Sequence, residues 1–188
     1  MDEKRPFREK AKVNRTEKLY TGKLFSFVAE EITLPNGART KMTIVRYPGS
    51  TGIVPLLDDE KVVMVKQYRH SVGDYLLEIP AGTMEPGESP LNCARRELEE
   101  ETGLMAKEFV ELSQVYIIPA YSDEKIYVYL ARGFTASEQN LDQDEIIQVV
   151  EYPLKEVLQM ISQGLITDAL TILSIQQAHM YIQNEDSN

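Results

Sequence analysis

Along the chain, apolar and polar residues alternate in short extended runs, interrupted by three segments with helical signals. From Leu19 onward the residues are rich in aromatic and β-branched types. The run Ile32-Thr33-Leu34-Pro35 leads into Asn36-Gly37, and an Asn-Gly pair between two extended runs is a strong hairpin signal. An antiparallel hairpin is therefore expected at about 24–34 and 39–47, before a boundary at Pro48-Gly49-Ser50. Strands follow at about 52–57 and 61–68, turned by Asp58-Asp59-Glu60, and at 75–79, running into Pro80-Ala81-Gly82. The next segment is helical: Ser89 can cap it, Pro90 suits its first position and Gly103 the residue past its end. Further strands are expected at 110–118, 125–131 and 146–152, with an acidic loop over 134–145. Two helices close the chain, at about 154–162 (ended by Gly164) and 168–183. Residues 1–16, charged and irregular, read as a mobile arm. The expected organisation is that arm, an N-terminal β domain over 17–49, and a core domain over 50–188. Strands with a few helices on a mixed sheet suggest an α+β layered fold.

Composition narrows the function classes. With 188 residues, 43% of them hydrophobic, the chain can bury a proper core. Its formal net charge of −10 repels long polyanions, so no nucleic-acid partner is expected. A small anionic substrate is compatible with that field if metal ions and a few local cations offset it. No apolar run approaches the ~18 residues that a membrane span needs, and the charged start MDEKRPFREK does not read as a secretory signal. The single cysteine, Cys93, excludes an intramolecular disulfide and a cysteine-rich zinc site. A reducing cytoplasm is the expected setting.

The chemistry concentrates in residues 82–104, GTMEPGESPLNCARRELEEETGL. On the expected helix, Glu97 and Glu101 are four apart and Glu97 and Glu100 three apart, so all three crowd one side. Like charges so placed cost a few tenths of a kcal/mol per pair when exposed, and more when partly buried. An acidic run by itself is a solvated helix face. Here it is preceded by Gly82, which lets a loop pack tightly, and by Glu88 and Arg96. Oxygen ligands, with no histidine or cysteine set nearby, favour a hard cation such as Mg²⁺ or Mn²⁺. Such ions can clamp pyrophosphate oxygens and activate a water. Cys93, inside this helix, reads as a small buried filler.

The spacing of Gly82, Glu88, Arg96-Glu97-Leu98, Glu100-Glu101 and Gly103-Leu104 resembles the Nudix box at every defined position. The resemblance implies a Nudix α/β/α sandwich with a mixed sheet. It also implies metal held by the backbone carbonyl of Ala81 and by Glu97 and Glu101, with Glu100 as a further ligand or water contact. Arg96 resembles the box arginine, which orients a glutamate through a charge-assisted bond, and Glu88 its structural partner. Lys66-Gln67-Tyr68-Arg69, Leu77-Glu78-Ile79-Pro80-Ala81-Gly82 and Pro119-Ala120-Tyr121-Ser122-Asp123-Glu124 narrow the resemblance to the ADP-ribose pyrophosphatases.

That resemblance implies hydrolysis of ADP-ribose to AMP and ribose 5-phosphate. Arg69 then contacts the diphosphate and Glu124 the terminal ribose. Phe25, or its neighbour Phe27, could stack the adenine, although aromatics two apart on a strand also pack on one another. The acidic loop Leu141-Asp142-Gln143-Asp144-Glu145 would carry the base, which Asp142, Asp144 or Glu145 could supply. The family usually follows the proline at Pro119 with glycine; here Ala120 stands there, and its methyl restricts the backbone. Alternatives are another sugar nucleotide, such as GDP-mannose, or a silent ADP-ribose-sensing module. Sensors usually lose box glutamates, which this chain keeps. The apolar residues Leu24, Phe25, Phe27, Val28 and Ile32 of the small β domain need a cover; the domain could fold back on its own core or pack against a second subunit, and the resemblance implies the second, a homodimer in which that domain completes the partner's site.

Overall fold

In the N-terminal segment, extended runs that mix aromatic and β-branched residues with charged ones fold as a sheet. The computed structural model describes residues 9–141, 143 and 145–187. Strands β1 (Lys12–Thr21), β2 (Ser26–Thr33) and β3 (Arg39–Arg46) form an antiparallel sheet in the order β1-β2-β3. The expected hairpin is β2–β3, in register from Ser26 opposite Arg46 to Thr33 opposite Arg39. Its turn is closed by Gly37 N–H donating to the Leu34 carbonyl at 2.8 Å and by Ala38 N–H donating to Asn36 Oδ1 at 3.0 Å.

Strand β1 corrects the expectation of an arm over 1–16, because Lys12 to Thr16 are paired with β2; residues 1–8 lie outside the described residues. Every residue of β1 is exposed. With neither face buried, nothing imposes a two-residue alternation on its sequence.

The chain divides into two units, Met1–Pro48 with Ile118–Glu124, and Gly49–Ile117 with Lys125–Asn188. The first unit thus takes a segment that the expected boundaries gave to the core. Within it, Val45 N–H donates to the Tyr121 carbonyl at 2.7 Å and Asp123 N–H to the Val45 carbonyl at 3.2 Å. Arg46 fixes the segment further, donating to Asp123 Oδ2 at 2.9 Å and to the buried Glu30 at 2.7 Å. Among the described residues, the only non-glycine with a positive φ is Glu60. Ala120 therefore needs no left-handed backbone, and the methyl that replaces the family's usual glycine is accommodated.

The second unit is layered. Strands β4 (Ser50–Pro55), β7 (Ala81–Thr83), β8 (Leu104–Tyr116) and β9 (Lys125–Ala136) form a sheet ordered β7-β4-β9-β8, in which β4 and β9 are parallel and the other pairs antiparallel. Strands β5 (Lys61–Arg69), β6 (Asp74–Glu78) and β10 (Ile147–Pro153) form a second, antiparallel sheet ordered β10-β5-β6. Helix α1 (Pro90–Thr102) packs on one side through Ala94 and Leu98, with Ile53, Tyr129 and Ala131. Helices α2 (Leu154–Ser162) and α3 (Ala169–Asp186) pack on the other through Val157, Ile175 and Ala178, with Val54 and Leu130. Consecutive residues Ile53 and Val54 thus enter opposite clusters, as the alternation of a strand buried on both faces requires. This is the expected α+β sandwich with a mixed sheet. Three strands differ from expectation. β7 is an added short strand, β8 begins at Leu104 rather than at residue 110, and β9 continues to Ala136, so the acidic loop begins at Ser137 rather than at residue 134.

Candidate active site

Helix α1 is set by its ends. Ser89 Oγ accepts from Asn92 N–H at 3.3 Å, Pro90 occupies the first position, and Gly103 closes the helix in the left-handed conformation with φ 68°. A Cβ at Gly103 would also come within 3.1 Å of the Ser137 carbonyl. The start of the acidic loop is fastened to this helix end. Ser137 N–H donates to the Gly103 carbonyl at 2.7 Å, Asn140 N–H to the Glu100 carbonyl at 2.9 Å, and Ser137 Oγ to Glu99 at 2.6 Å.

The inner side of α1 lies against β7. Glu101, 2% exposed, accepts from Ala81 N–H at 3.1 Å. Glu97 abuts the next residue so closely that a Cβ at Gly82 would fall 1.8 Å from its carboxyl carbon. Only glycine lets this carboxyl lie on the strand. Both carboxylates therefore face consecutive residues of one short strand.

Arg96 binds the remaining acids. It donates to both oxygens of Glu88 at 3.0 Å, to Glu97 at 2.7 Å, to Glu100 at 3.0 Å and to the Thr83 carbonyl at 3.1 Å. One guanidinium so fixes the rotamers of three carboxylates and the end of β7.

The electrostatics are those of crowded, desolvated acids. Burial is the main cause that pushes Glu97 up to about 7, against the opposing Arg96 charge and with help from Glu100 and Glu145. Burial, then the charge of Glu97, hold Glu101 well above the usual carboxylate range, and Glu145 adds to it. The charge of Glu145 is thus felt at both. Such a group asks for a cation, and a doubly charged hard ion suits an all-oxygen donor set. Among the described residues no three His, Cys, Asp or Glu side chains form a ligand group by themselves. The donors that fit are two side chains, Glu97 and Glu101, with the Ala81 carbonyl.

Arg69, at the end of β5, is held by the buried Glu78, which accepts from Nε with both oxygens at 3.0 Å and also from Nη2. Its charge reaches Glu101. The pairing was not read from the sequence, since Glu78 is in register with Val65 rather than with Arg69. The available signal is parity: Val65, Gln67 and Arg69 share one face of β5. Cys93 is fully buried, its thiol pushed up to about 12 mainly by burial.

Phe25 and Glu124 belong to the first unit. Phe25 precedes β2 and packs edge-on against Phe27, with centroids 5.4 Å apart, and beside Tyr20 at 6.3 Å. Glu124 is half-buried, its N–H donating to Ser122 Oγ at 3.1 Å. Asp142 and Asp144 lie outside the described residues; Glu145 is half-buried.

The NUDIX domain model matches residues 46–169, about two thirds of the chain. The chain belongs to the Nudix family. It is 38% identical over 162 residues to an ADP-ribose pyrophosphatase of Bacillus subtilis (strain 168), covering 85% of this chain and 88% of that one. It is 36% identical over 178 residues to a methanol dehydrogenase activator of Bacillus methanolicus, covering 94% of each. Its fold matches the crystal structure of an ADP compounds hydrolase with a TM-score of 0.82 at 21% identity, over 94% of this chain and 96% of that one. Among the described residues, no helix is long and apolar enough to cross a membrane.

Proposed function

We propose that this Nudix protein hydrolyses the pyrophosphate bond of ADP-ribose, or of a related nucleoside diphosphate sugar, giving AMP and ribose 5-phosphate from ADP-ribose. The observation that carries the reading is the pair of buried carboxylates, Glu97 and Glu101, laid against Ala81 and Gly82. The 38% identity to an ADP-ribose pyrophosphatase supports the substrate class. Glu97, Glu101 and the Ala81 carbonyl hold Mg²⁺ or Mn²⁺, with Glu100 as a further ligand or water contact. A divalent cation there supplies positive charge to pyrophosphate oxygens and makes water a better nucleophile at neutral pH. Arg96 holds Glu97 and Glu100 in place. Arg69, fixed by Glu78, binds the diphosphate, and its fork suits paired phosphate oxygens. A carboxylate from Asp142, Asp144 or Glu145 takes the proton of the attacking water. Glu124 meets the terminal ribose and Phe25 the adenine.

The protein works in a cytoplasm as a homodimer. The first unit exposes Val13, Leu19, Tyr20, Leu24, Phe25 and Met42, an apolar set that a second copy would cover. The test of function is a steady-state screen of ADP-ribose, NADH, GDP-mannose and diadenosine polyphosphates with Mg²⁺ and with Mn²⁺. The highest kcat/KM is expected for ADP-ribose. A preference for GDP-mannose would move the substrate, and no turnover of any of them would remove the reading.

A second reading rests on the 36% identity to a methanol dehydrogenase activator over 94% of each chain. Added to a methanol dehydrogenase assay, the protein would raise its rate. An unchanged rate removes this activity without touching the first.

A further inference from the structure

Between β6 and β7, Ile79 and Pro80 carry the chain to Ala81, and their backbone has few ways to be held. The Pro80 carbonyl accepts from Ile53 N–H of β4 at 2.9 Å, and Ala81 N–H is taken by Glu101. The third tie comes from a distant part of the chain. Ile79 N–H donates to Thr171 Oγ1 at 3.0 Å, across a sequence separation of 92 residues. Both residues are sealed from water, Ile79 at 1% and Thr171 at 0% exposure. A buried N–H must find a partner, and Thr171 is the one it has.

Thr171 is itself fixed. Asp168 caps α3, and its Oδ2 accepts from Thr171 N–H at 2.7 Å. The hydroxyl position therefore follows from the first turn of α3, and a β-branched side chain has little freedom about its first torsion. This turn lies at the edge of the family match, which ends at residue 169 and leaves Thr171 outside. The hydrogen bond sets the Glu78–Ile79 peptide plane, three planes before the one that carries the Ala81 carbonyl.

We infer that Thr171 is a positioning residue for the Ala81 carbonyl, so that the first turn of α3 tunes the site's affinity for a divalent cation. The inference rests on Ala81, Glu97 and Glu101 being the metal-holding set. Groups that orient a ligand commonly change metal affinity by about 10- to 100-fold when removed. A purely structural hydroxyl would lower the melting temperature and leave metal affinity alone.

The test uses the full chain and Mn²⁺ alone, with free Mn²⁺ counted by electron paramagnetic resonance and amide exchange followed at Ile79. T171V keeps the shape and loses the hydroxyl. It should bind Mn²⁺ about tenfold more weakly and exchange Ile79 N–H faster, while T171S restores both. If T171V lacks a cooperative melt, T171S and T171A are compared instead. They share the loss of the methyl and differ only in the hydroxyl, so tenfold weaker Mn²⁺ binding by T171A is then expected. E101Q separates the two ideas. E101Q binding Mn²⁺ as tightly as the parent removes the metal-holding set and the inference with it. Loss of binding in E101Q, with T171V (or T171A against T171S) within twofold of its reference, overturns the role of Thr171 alone.

Discussion

At the scale of single residues, the box glutamates divide by burial. Glu101 is nearly inaccessible and Glu97 almost so, whereas Glu100 is partly exposed and tied to Arg96. Two carboxylates desolvated against one strand are costly to keep charged. E97Q and E101Q should therefore fold as well as the parent or slightly better, yet lose at least ~100-fold in kcat, about 2.7 kcal/mol. Near-parental turnover of both at saturating Mg²⁺ would sink the ligand assignment. The same burial predicts a pH effect on the metal-free protein. Glu97 is raised from the ordinary 4.5 to about 7, so its contribution to stability is present below the ordinary value and lost as pH rises through about 7. In chelator, the melting temperature of the parent relative to E97Q should fall between pH 5 and pH 8; a flat difference would show that Glu97 titrates normally.

At the scale of elements, the end of α1 is tied to Ser137 and Asn140, which follow β9. Asn140 and Ser137 bond the last carbonyls and the Glu99 side chain of the helix, so the acidic residues beyond them start from a fixed anchor. If one of Asp142, Asp144 and Glu145 accepts the water's proton, its amide variant should lose kcat with little change in KM, and the other two should be nearly neutral. Three near-neutral variants would shift the role to Glu100. The helix was legible in the sequence because its signals are local: Ser89, Pro90 and Gly103 act on the adjacent turn. The limits of β9 were not, because Phe134 to Ala136 are held by pairing with Leu104 to Ala106 across the sheet.

At the scale of the whole molecule, the first unit is built on a small three-stranded sheet and, among its described residues, exposes eight large apolar side chains. Three strands need a covered apolar face to be stable. A truncation removing residues 1–47 should therefore abolish dimerisation and weaken substrate binding, while Mn²⁺ binding by α1 persists. Sedimentation decides it: a full-length protein that stays monomeric at tens of micromolar excludes the shared site.

The sequence by itself determined the box, its helix and the crowding of Glu97, Glu100 and Glu101, since helical spacing places these residues without reference to anything else. It also determined the β2–β3 hairpin, whose Asn36-Gly37 turn is a local matter. The tertiary structure alone decided what each acid meets. Glu97 lies on Gly82, Glu101 takes the Ala81 N–H, and Glu78 holds Arg69. It alone showed that β1 is a strand, because an exposed edge leaves no alternation to read. It also tied Thr171 to Ile79, a contact between residues 92 apart that no periodicity records. Local spacing selects an element and its faces; which faces meet depends on how the layers close over one core, and that is a property of the packed chain.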